Sequence, residues 1–159
     1  MFFIFIILKK GEIMKKVEIY TDGACSKNPG PGGWAFIIKY AGKKLEKSGA
    51  SHNTTNNKME LLAVIKALNQ LKEPCYVELY TDSRYIVDSI TKKWVFRWQQ
   101  NNWMKNKKEK ALNINLWEQL LDLIKIHNVN FNWIKGHKNQ PENERCDELA
   151  VMEYKKLKL

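Results

Sequence analysis

Two aspartates each end a short sequence that the chain carries twice. Asp22 ends VEIYTD at residues 17–22, and Asp82 ends VELYTD at residues 77–82. Each copy alternates apolar and polar residues and is followed by a turn-type residue, which predicts a short strand with the aspartate at its end. The intervening chain is long enough for a hairpin and a helix, so the two strands can be parallel neighbours. Both carboxylates would then lie at the carboxyl edge of one sheet, where α/β sheets bind ligands.

Carboxylates at such an edge suit a metal ion, although each aspartate alone has a simpler explanation. An Asp between a strand and a small residue is most often a turn former or a helix N-cap. Two of them at matching strand ends weaken that explanation, because like charges at close range repel and are tolerated where a cation binds. Both interpretations stay open for Asp22 and Asp82 at this point.

Three further residues have side chains that could do chemistry. Glu60 lies early in a predicted helix, where it could instead complement the helix dipole. Asp147 lies inside the last predicted helix, on the same face as Asn143. His137 lies in a predicted loop, where an imidazole could move a proton, although a lone loop histidine is most often simply solvated.

The charge balance indicates a polyanionic partner. The chain of 159 residues has 27 Lys and Arg against 17 Asp and Glu, a net charge of +10, and its length fits one domain. Such an excess favours nucleic acid or an anionic membrane surface as the partner. The three cysteines, Cys25, Cys75 and Cys146, form neither a metal-ligand spacing nor an even framework, which predicts reduced thiols in a cytoplasm.

The first thirteen residues differ in composition from the rest. Residues 1–8 (MFFIFIIL) are apolar and are followed by two lysines, but they are too short to span a bilayer and lack the basic start of a signal peptide. Met14 opens MKKVEIYTDG and is a second candidate start. We predict that residues 1–13 are an extension outside the fold and that residues 14–159 form a single domain. Binding to a membrane is therefore the weakest interpretation.

The rest of the chain predicts an α/β fold with a mixed five-stranded sheet flanked by helices. The glycine-rich residues 23–33 predict a loop, and residues 34–40 and 44–50 predict a hairpin, so that the first three strands are antiparallel. Alternation predicts a last strand over 129–134, and the remaining pairings are parallel. The spacing of apolar residues predicts helices over 58–72, 84–90, 116–126 and 142–156.

A basic segment rich in tryptophan lies between residues 92 and 110 and holds three of the six Trp. A helix that packs Trp94 and Trp98 inward at an i, i+4 spacing would explain part of it. Interleaved indoles and lysines also suit a nucleic-acid surface, where charges contact phosphates and rings contact sugars or bases. The candidate contacts are Trp94, Trp98, Trp103, Lys105, Lys107 and Lys108.

Four segments resemble the type-one bacterial ribonucleases H, which have the ribonuclease H-like fold. They are YTDGACSKNPGPGGWAFII, TTNNKMELLAVIKAL, LYTDSRYIVDSI and WIKGHKNQPENERCDELA, in the family's order and at its usual intervals. The resemblance covers residues 14–154 and implies that residues 14–159 are one ribonuclease H catalytic domain. The implied metal-binding and catalytic residues are Asp22, Glu60, Asp82 and Asp147, with His137 as a further catalytic residue and Asn28, Asn56 and Arg84 as substrate contacts.

The activity that this resemblance implies is hydrolysis of the RNA strand of RNA·DNA hybrids, which leaves 5′-phosphate and 3′-hydroxyl ends. Four carboxylates supply the hard oxygen ligands that Mg²⁺ prefers, and two Mg²⁺ ions could act on one scissile phosphate, with Mn²⁺ as a substitute. The expected protein is a cytoplasmic monomer whose partner is the hybrid, with no stable protein partner and no membrane.

The sequence departs from the family's pattern at two places. Arg84 stands where the family more often has Gln, and residues 99–101 (QQN) replace a cluster of Lys and Arg found in many members. Two alternatives stay open. Another nuclease of the same fold is one, although the four motifs and the short length argue against it. The other is a non-catalytic hybrid-binding module, which would need no carboxylate cluster.

Overall fold

The computed structural model describes residues 14–136 and 139–157 of the chain. The described residues form five strands and five helices. In chain order they are β1 (Lys15–Cys25), β2 (Gly30–Tyr40), β3 (Lys43–Thr54), α1 (Asn56–Asn69), β4 (Cys75–Thr81), α2 (Arg84–Thr91), α3 (Trp94–Gln100), α4 (Ile114–Ile126), β5 (Asn128–Trp133) and α5 (Pro141–Lys155).

The strands form one mixed sheet in the order β3-β2-β1-β4-β5. The first three strands pair antiparallel, whereas β1 with β4 and β4 with β5 pair parallel, which confirms the predicted fold class. Val17 lies opposite Val77 and Tyr20 opposite Tyr80, so the two copies of the repeated sequence align residue for residue. The repeat favours this register because the same alternation places equivalent side chains on the same face of the sheet.

The strands around the first aspartate are longer than predicted. Asp22 lies inside β1, opposite Ala35 of β2, so the predicted loop over 23–33 is reduced to residues 26–29. Glycine-rich chain can enter a sheet where another backbone approaches closely, which is the case here. Asp82 follows the end of β4 directly, as predicted.

Helices pack on both faces of the sheet and bury two groups of apolar side chains. The larger group includes Ile19 and Leu79 of the sheet and the fully buried Trp117 of α4. The smaller group lies between the sheet and α5 and includes Tyr20 and Cys146. Removal of this apolar surface from water is the main force that holds the helices, and the polar residues they carry, at set positions over the strands.

Helix α1 begins two residues earlier than predicted, because Thr55 caps it. The Thr55 hydroxyl accepts a hydrogen bond from the backbone N–H of Lys58 at 3.3 Å. Glu60 therefore lies beyond the first turn, which holds no acidic residue. A helix-dipole role is confined to the first turn and does not account for the buried Glu60.

Two of the predictions fall on residues outside the described part of the chain. Residues 1–13, expected to be an extension, are one case, and His137 is the other. Within residues 14–136 and 139–157, none of the helices is long and apolar enough to cross a membrane.

His127 is a buried histidine that makes the stability of the fold depend on pH. It follows α4 directly, and its Nδ1 accepts a hydrogen bond from the backbone N–H of Cys75 at 3.2 Å. Burial lowers the pKa of His127 below its ordinary value of 6.5, so the native state keeps it neutral where the unfolded chain takes up a proton. We therefore expect its contribution to the free energy of unfolding to fall as the pH drops below about 6.5.

Urea titrations at several pH values check this expectation. The His127→Gln protein should lose less stability on acidification than the wild type does. His52→Gln is the control, because His52 is exposed on β3, and it should follow the wild-type curve. Equal acid sensitivity of the wild type and His127→Gln would contradict the expectation.

Candidate active site

Four carboxylate side chains meet where the parallel pairing of β1 and β4 ends. Oxygen atoms of Asp22, Glu60 and Asp82 all lie within 4.8 Å of one another. Asp147 lines the same open cavity, which has a volume of about 380 Å³. Four separate parts of the fold, β1, α1, the end of β4 and α5, thus bring the four predicted carboxylates to one place.

Two glycines let the helices approach the strands closely enough to position Glu60 and Asp147. A Cβ atom at Gly23 would lie 2.5 Å from the backbone carbonyl carbon of Met59, and closer still to the backbone nitrogen of Glu60. A Cβ atom at Gly33 would overlap the backbone of α5, the helix that carries Asp147. Only glycine fits at both positions, although the sequence pattern indicated no more than a loop there.

Burial and repulsion between like charges favour the protonated forms of Asp22 and Glu60 when no cation is bound. Asp22 is only 3% exposed, and burial together with the charge of Asp82 raises its pKa to about 8. Burial, followed by the charges of Asp22 and Asp82, raises the pKa of Glu60 well above its ordinary value of 4.5. A bound cation has the opposite effect, because it favours the ionised forms.

The donor set of this cluster fits a hard divalent cation. Oε2 of Glu60 is buried and has no hydrogen-bond partner among the residues that the structure describes, so an acceptor inside the cluster is left unsatisfied there. Asp22, Glu60 and Asp82 offer carboxylate oxygens only, which are ligands that Mg²⁺, Ca²⁺ and Mn²⁺ prefer. A cation bound here would satisfy the orphan oxygen and offset the repulsion. These three residues could therefore bind a metal ion.

The predicted substrate contacts Asn28, Asn56 and Arg84 lie next to the carboxylates. Asn56 and Arg84 line the cavity, and Asn28 accepts a hydrogen bond through Oδ1 from the backbone N–H of Asn56 at 3.1 Å. The Oδ1 of Asn56 accepts in turn from the backbone N–H of Cys25 at 2.9 Å. These bonds set the orientation of both amides and leave their Nδ2 groups without a partner among the described residues.

The basic tryptophan segment forms α3 and the turns that follow it. Val95 is the buried residue of α3, whereas Trp98 and Trp103 are partly buried against the larger core. The ammonium group of Lys92 lies 5.2 Å from the ring centre of Trp94. Inward packing therefore explains only part of this segment. Its exposed lysines include Lys105, Lys107 and Lys108.

Trp133 is a residue of the site that the sequence pattern did not predict. Its Nε1 donates a hydrogen bond to the backbone carbonyl of Asp82 at 3.1 Å. The guanidinium carbon of Arg84 lies 3.8 Å from the centre of its ring. The signal that could have found it is the parallel pairing of β5 with β4, which sets Trp133 opposite Thr81.

A larger cavity, of about 870 Å³, lies at the opposite end of the strands. Its lining mixes Glu18 and Glu78 with lysines such as Lys16 and Lys39. Two of these side chains already have polar partners, because Lys39 pairs with Glu142 at 2.8 Å and Glu78 accepts a hydrogen bond from an asparagine. The cluster of carboxylates that could do chemistry is in the smaller cavity.

Comparison with known proteins places the chain in a family. A family model for RNase H matches residues 14–155. Ribonuclease H of Desulforamulus reducens is 58% identical over 138 residues, which cover 87% of each chain. Ribonuclease H of Caldicellulosiruptor saccharolyticus is 56% identical over 137 residues, which cover 86% of this chain and 94% of that protein.

Solved structures give the same result for the fold. The crystal structure of LC9-RNase H1, described as a type 1 RNase H with the type 2 active-site motif, superposes with a TM-score of 0.77 at 32% identity, and the match covers 89% of this chain and 72% of that one. LC11-RNase H1 in complex with an RNA/DNA hybrid superposes with a TM-score of 0.68 at 26% identity, over 89% of this chain and 98% of that one. By sequence and by fold, the chain belongs to the ribonuclease H family.

Proposed function

We propose that this chain hydrolyses the RNA strand of RNA·DNA hybrids as a metal-dependent endonuclease and leaves 5′-phosphate and 3′-hydroxyl ends. The observation that carries the proposal is the cluster of Asp22, Glu60 and Asp82, whose oxygens lie within 4.8 Å of one another. Asp22 and Glu60 are buried, and crowding of carboxyl groups that raises their pKa values is typical of a functional site. The net charge of +10 suits the polyanionic backbone of a hybrid.

Asp22, Glu60, Asp82 and Asp147 would hold two Mg²⁺ ions, with Mn²⁺ as a substitute. When bound, such ions activate a water and stabilise the leaving oxygen of a scissile phosphodiester. Asp22 is our choice for the ligand that both ions would share. It lies on the central strand, and the charges of Asp82 and Asp147 both act to raise its pKa. Glu60 reaches the cluster from α1. It would also lie close to a 2′-hydroxyl of the bound RNA strand.

Recognition of the RNA strand would come from groups that contact 2′-hydroxyls beside the carboxylates. Asn28 and Asn56 are suited to this role, since their Oδ1 atoms are already bonded and their Nδ2 groups remain as donors. Arg84 lines the same cavity and contributes a cation. Such contacts read the sugar and the backbone and carry little sequence specificity.

The basic tryptophan segment would bind the backbone of the hybrid away from the carboxylates. Charged groups there contact phosphates, and the partly buried indoles contact sugars or bases. Because phosphate contacts dominate such binding, affinity should fall steeply as the salt concentration rises. The proposed contacts are Trp94, Trp98, Trp103, Lys105, Lys107 and Lys108.

The proposal includes a monomer that works in a cytoplasm. Cys25, Cys75 and Cys146 are all free thiols, which suits a reducing compartment. The carboxylates come from a single chain, so a second copy is not needed to complete the cluster. Sedimentation in the presence of hybrid tests the oligomeric state.

Cleavage of an end-labelled RNA·DNA hybrid in Mg²⁺ tests the activity, beside an RNA duplex and a DNA duplex of the same sequence. We expect cuts in the RNA strand of the hybrid only, and we expect the Asp82→Asn protein to make none. The absence of cleavage in both Mg²⁺ and Mn²⁺, together with tight binding to the hybrid, would instead favour the non-catalytic binding module.

His137 is proposed to assist the reaction by moving a proton or by helping the product to leave. We expect His137→Ala to slow turnover by about 10²-fold without abolishing it, because a positioned acid or base contributes an effect of that size. Steady-state cleavage rates measure the change, and circular dichroism verifies the fold. Complete loss of activity in a folded His137→Ala protein would contradict an auxiliary role.

A further inference from the structure

The guanidinium group of Arg84 lies on an aromatic ring beside the carboxylate cluster. Its carbon is 3.8 Å from the centre of the Trp133 ring, a distance typical of a stacked cation–π pair. Arg84 also lines the cavity that contains Asp22 and Asp82. The pair therefore places the positive charge of Arg84 at the rim of the proposed active site.

Trp133 is held in place by the backbone of the site. Its Nε1 donates to the carbonyl of Asp82 at 3.1 Å, and the residue lies opposite Thr81 in the pairing of β5 with β4. The next backbone N–H, of Ile134, donates to the carbonyl of Thr81 at 2.9 Å. The indole is thus anchored to the segment that carries a proposed metal ligand, so its position and that of Asp82 are linked.

Stacking through its face leaves the N–H groups at the edge of the guanidinium free to bind something else. Within residues 14–136 and 139–157, Arg84 forms neither an ion pair nor a hydrogen bond through its side chain. A cation so close to several carboxylates would otherwise find its best partners among them. A cation–π contact with the Trp133 ring stabilises an alternative position of the guanidinium by about 0.5–2 kcal/mol. That energy is enough to change the relative populations of the side-chain positions several-fold.

We propose that Trp133 is a positioning residue that holds Arg84 at the rim of the cavity, where the guanidinium binds a backbone phosphate of the hybrid. Arginine suits a phosphate because its planar donors match two phosphate oxygens at once. Arg84 follows Asp82 by two residues, so the phosphate it binds lies close to the scissile one. The inference rests on the proposed function in taking the hybrid as its ligand.

Binding of a fluorescently labelled RNA·DNA hybrid in a chelator, at several salt concentrations, tests the inference without any need for cleavage. We expect Arg84→Gln to weaken binding several-fold and to reduce the slope of log affinity against log salt by about 0.7–0.9, the loss of one phosphate contact. Lys125→Gln is the matched control for charge, because Lys125 is an exposed lysine at the end of α4, and it should leave the slope unchanged.

Two substitutions of Trp133 distinguish the contribution of its aromatic ring from that of its hydrogen bond to Asp82. Trp133→Ala should weaken binding and reduce the salt slope as Arg84→Gln does, and it should add nothing further in an Arg84→Gln background. Trp133→Phe keeps an aromatic face but loses the bond to Asp82, and it should bind nearly as well as the wild type.

Three results would overturn the inference. An unchanged salt slope in Arg84→Gln would exclude the phosphate contact. Fully additive effects of Trp133→Ala and Arg84→Gln would show that the ring does not act through Arg84. Equal defects in Trp133→Phe and Trp133→Ala would assign the effect to the bond with Asp82. If instead the expected binding pattern holds but the wild type fails to cleave hybrid in Mg²⁺, the proposed function fails and the inference stands.

Discussion

The Asp22→Asn protein is expected to cleave hybrid more slowly than the wild type by a factor on the order of 10³ or more, because an amide cannot supply the anionic oxygen that a divalent cation binds. Charge stabilisation by a metal ion is worth several kcal/mol in a transition state, and its loss has an effect of this size. Asn and Asp have nearly the same shape, so the loss cannot be attributed to packing. Cleavage of labelled hybrid in Mg²⁺ by the purified protein measures it.

The same substitution should stabilise the metal-free fold. Burial and the charge of Asp82 raise the pKa of Asp22 to about 8 in the folded protein, against an ordinary value of 3.8. Between about pH 4 and about pH 8, the native carboxyl keeps a proton that the unfolded chain has released, so the free energy of unfolding falls as the pH rises. Asn does not titrate, and near neutral pH the gain should be on the order of a few kcal/mol.

Denaturation in a chelator at several pH values measures this gain. Asp122→Asn is the matched control, because Asp122 is a half-exposed aspartate of α4 that pairs with Lys125 at 3.9 Å, and it should change neither cleavage nor the pH dependence. Added Mg²⁺ should stabilise the wild type more than Asp22→Asn. Clear destabilisation of metal-free Asp22→Asn would instead favour a structural role for Asp22, whose carboxylate accepts a hydrogen bond from the Gly23 N–H at 2.9 Å.

The central pairing of the sheet could be predicted because the sequence repeats itself there. Matching alternation in the two copies predicts equivalent faces, and a crossover of sufficient length permits parallel strands. The observed register, Val17 opposite Val77 and Tyr20 opposite Tyr80, follows that pattern. The nearness of Asp22 and Asp82 needed no further information, since both residues follow the paired segment.

The boundaries of the elements near the site were harder to predict, because they depend on contacts between distant segments. Residues 23–25 have the composition of a loop but continue β1, since β2 pairs with them. Helix α1 begins at Asn56 rather than at the predicted residue 58, so Glu60 lies beyond the first turn. Local propensity is a weak guide where the tertiary structure decides the outcome.

The stacking of Arg84 on Trp133 could not be predicted from the pattern at all. The two residues are far apart in the chain, and their contact depends on the pairing of β5 with β4 and on the conformations of both side chains. The resemblance to known ribonucleases H implied a substrate contact at Arg84 and an unusual residue type at that position, but it gave no partner for the side chain. The three-dimensional structure was needed to give that departure a physical meaning.

Gly23→Ala is expected to lower both the stability and the activity of the protein. The added Cβ would lie 2.5 Å from the carbonyl carbon of Met59 and closer still to the backbone nitrogen of Glu60, so β1 and α1 must move apart. Overpacking of this kind typically lowers the free energy of unfolding by about 1–3 kcal/mol. The movement also withdraws Glu60 from Asp22, and a displacement of about 1 Å can cost about 10²-fold in rate.

Gly42→Ala is the matched control, because it should lower the stability of the fold without displacing Glu60 from the carboxylate cluster. Gly42 has a φ of 78° in the β2–β3 turn. Apart from Gly42 and its two chain neighbours, no described residue has an atom within 4 Å of its would-be Cβ, so alanine there strains the backbone without displacing α1. Both variants should be less stable than the wild type, but only Gly23→Ala should cleave hybrid more slowly per folded molecule. Equal activity of the two folded variants would mean that Glu60 can keep its place when α1 moves, and the close approach at Gly23 would then serve packing alone.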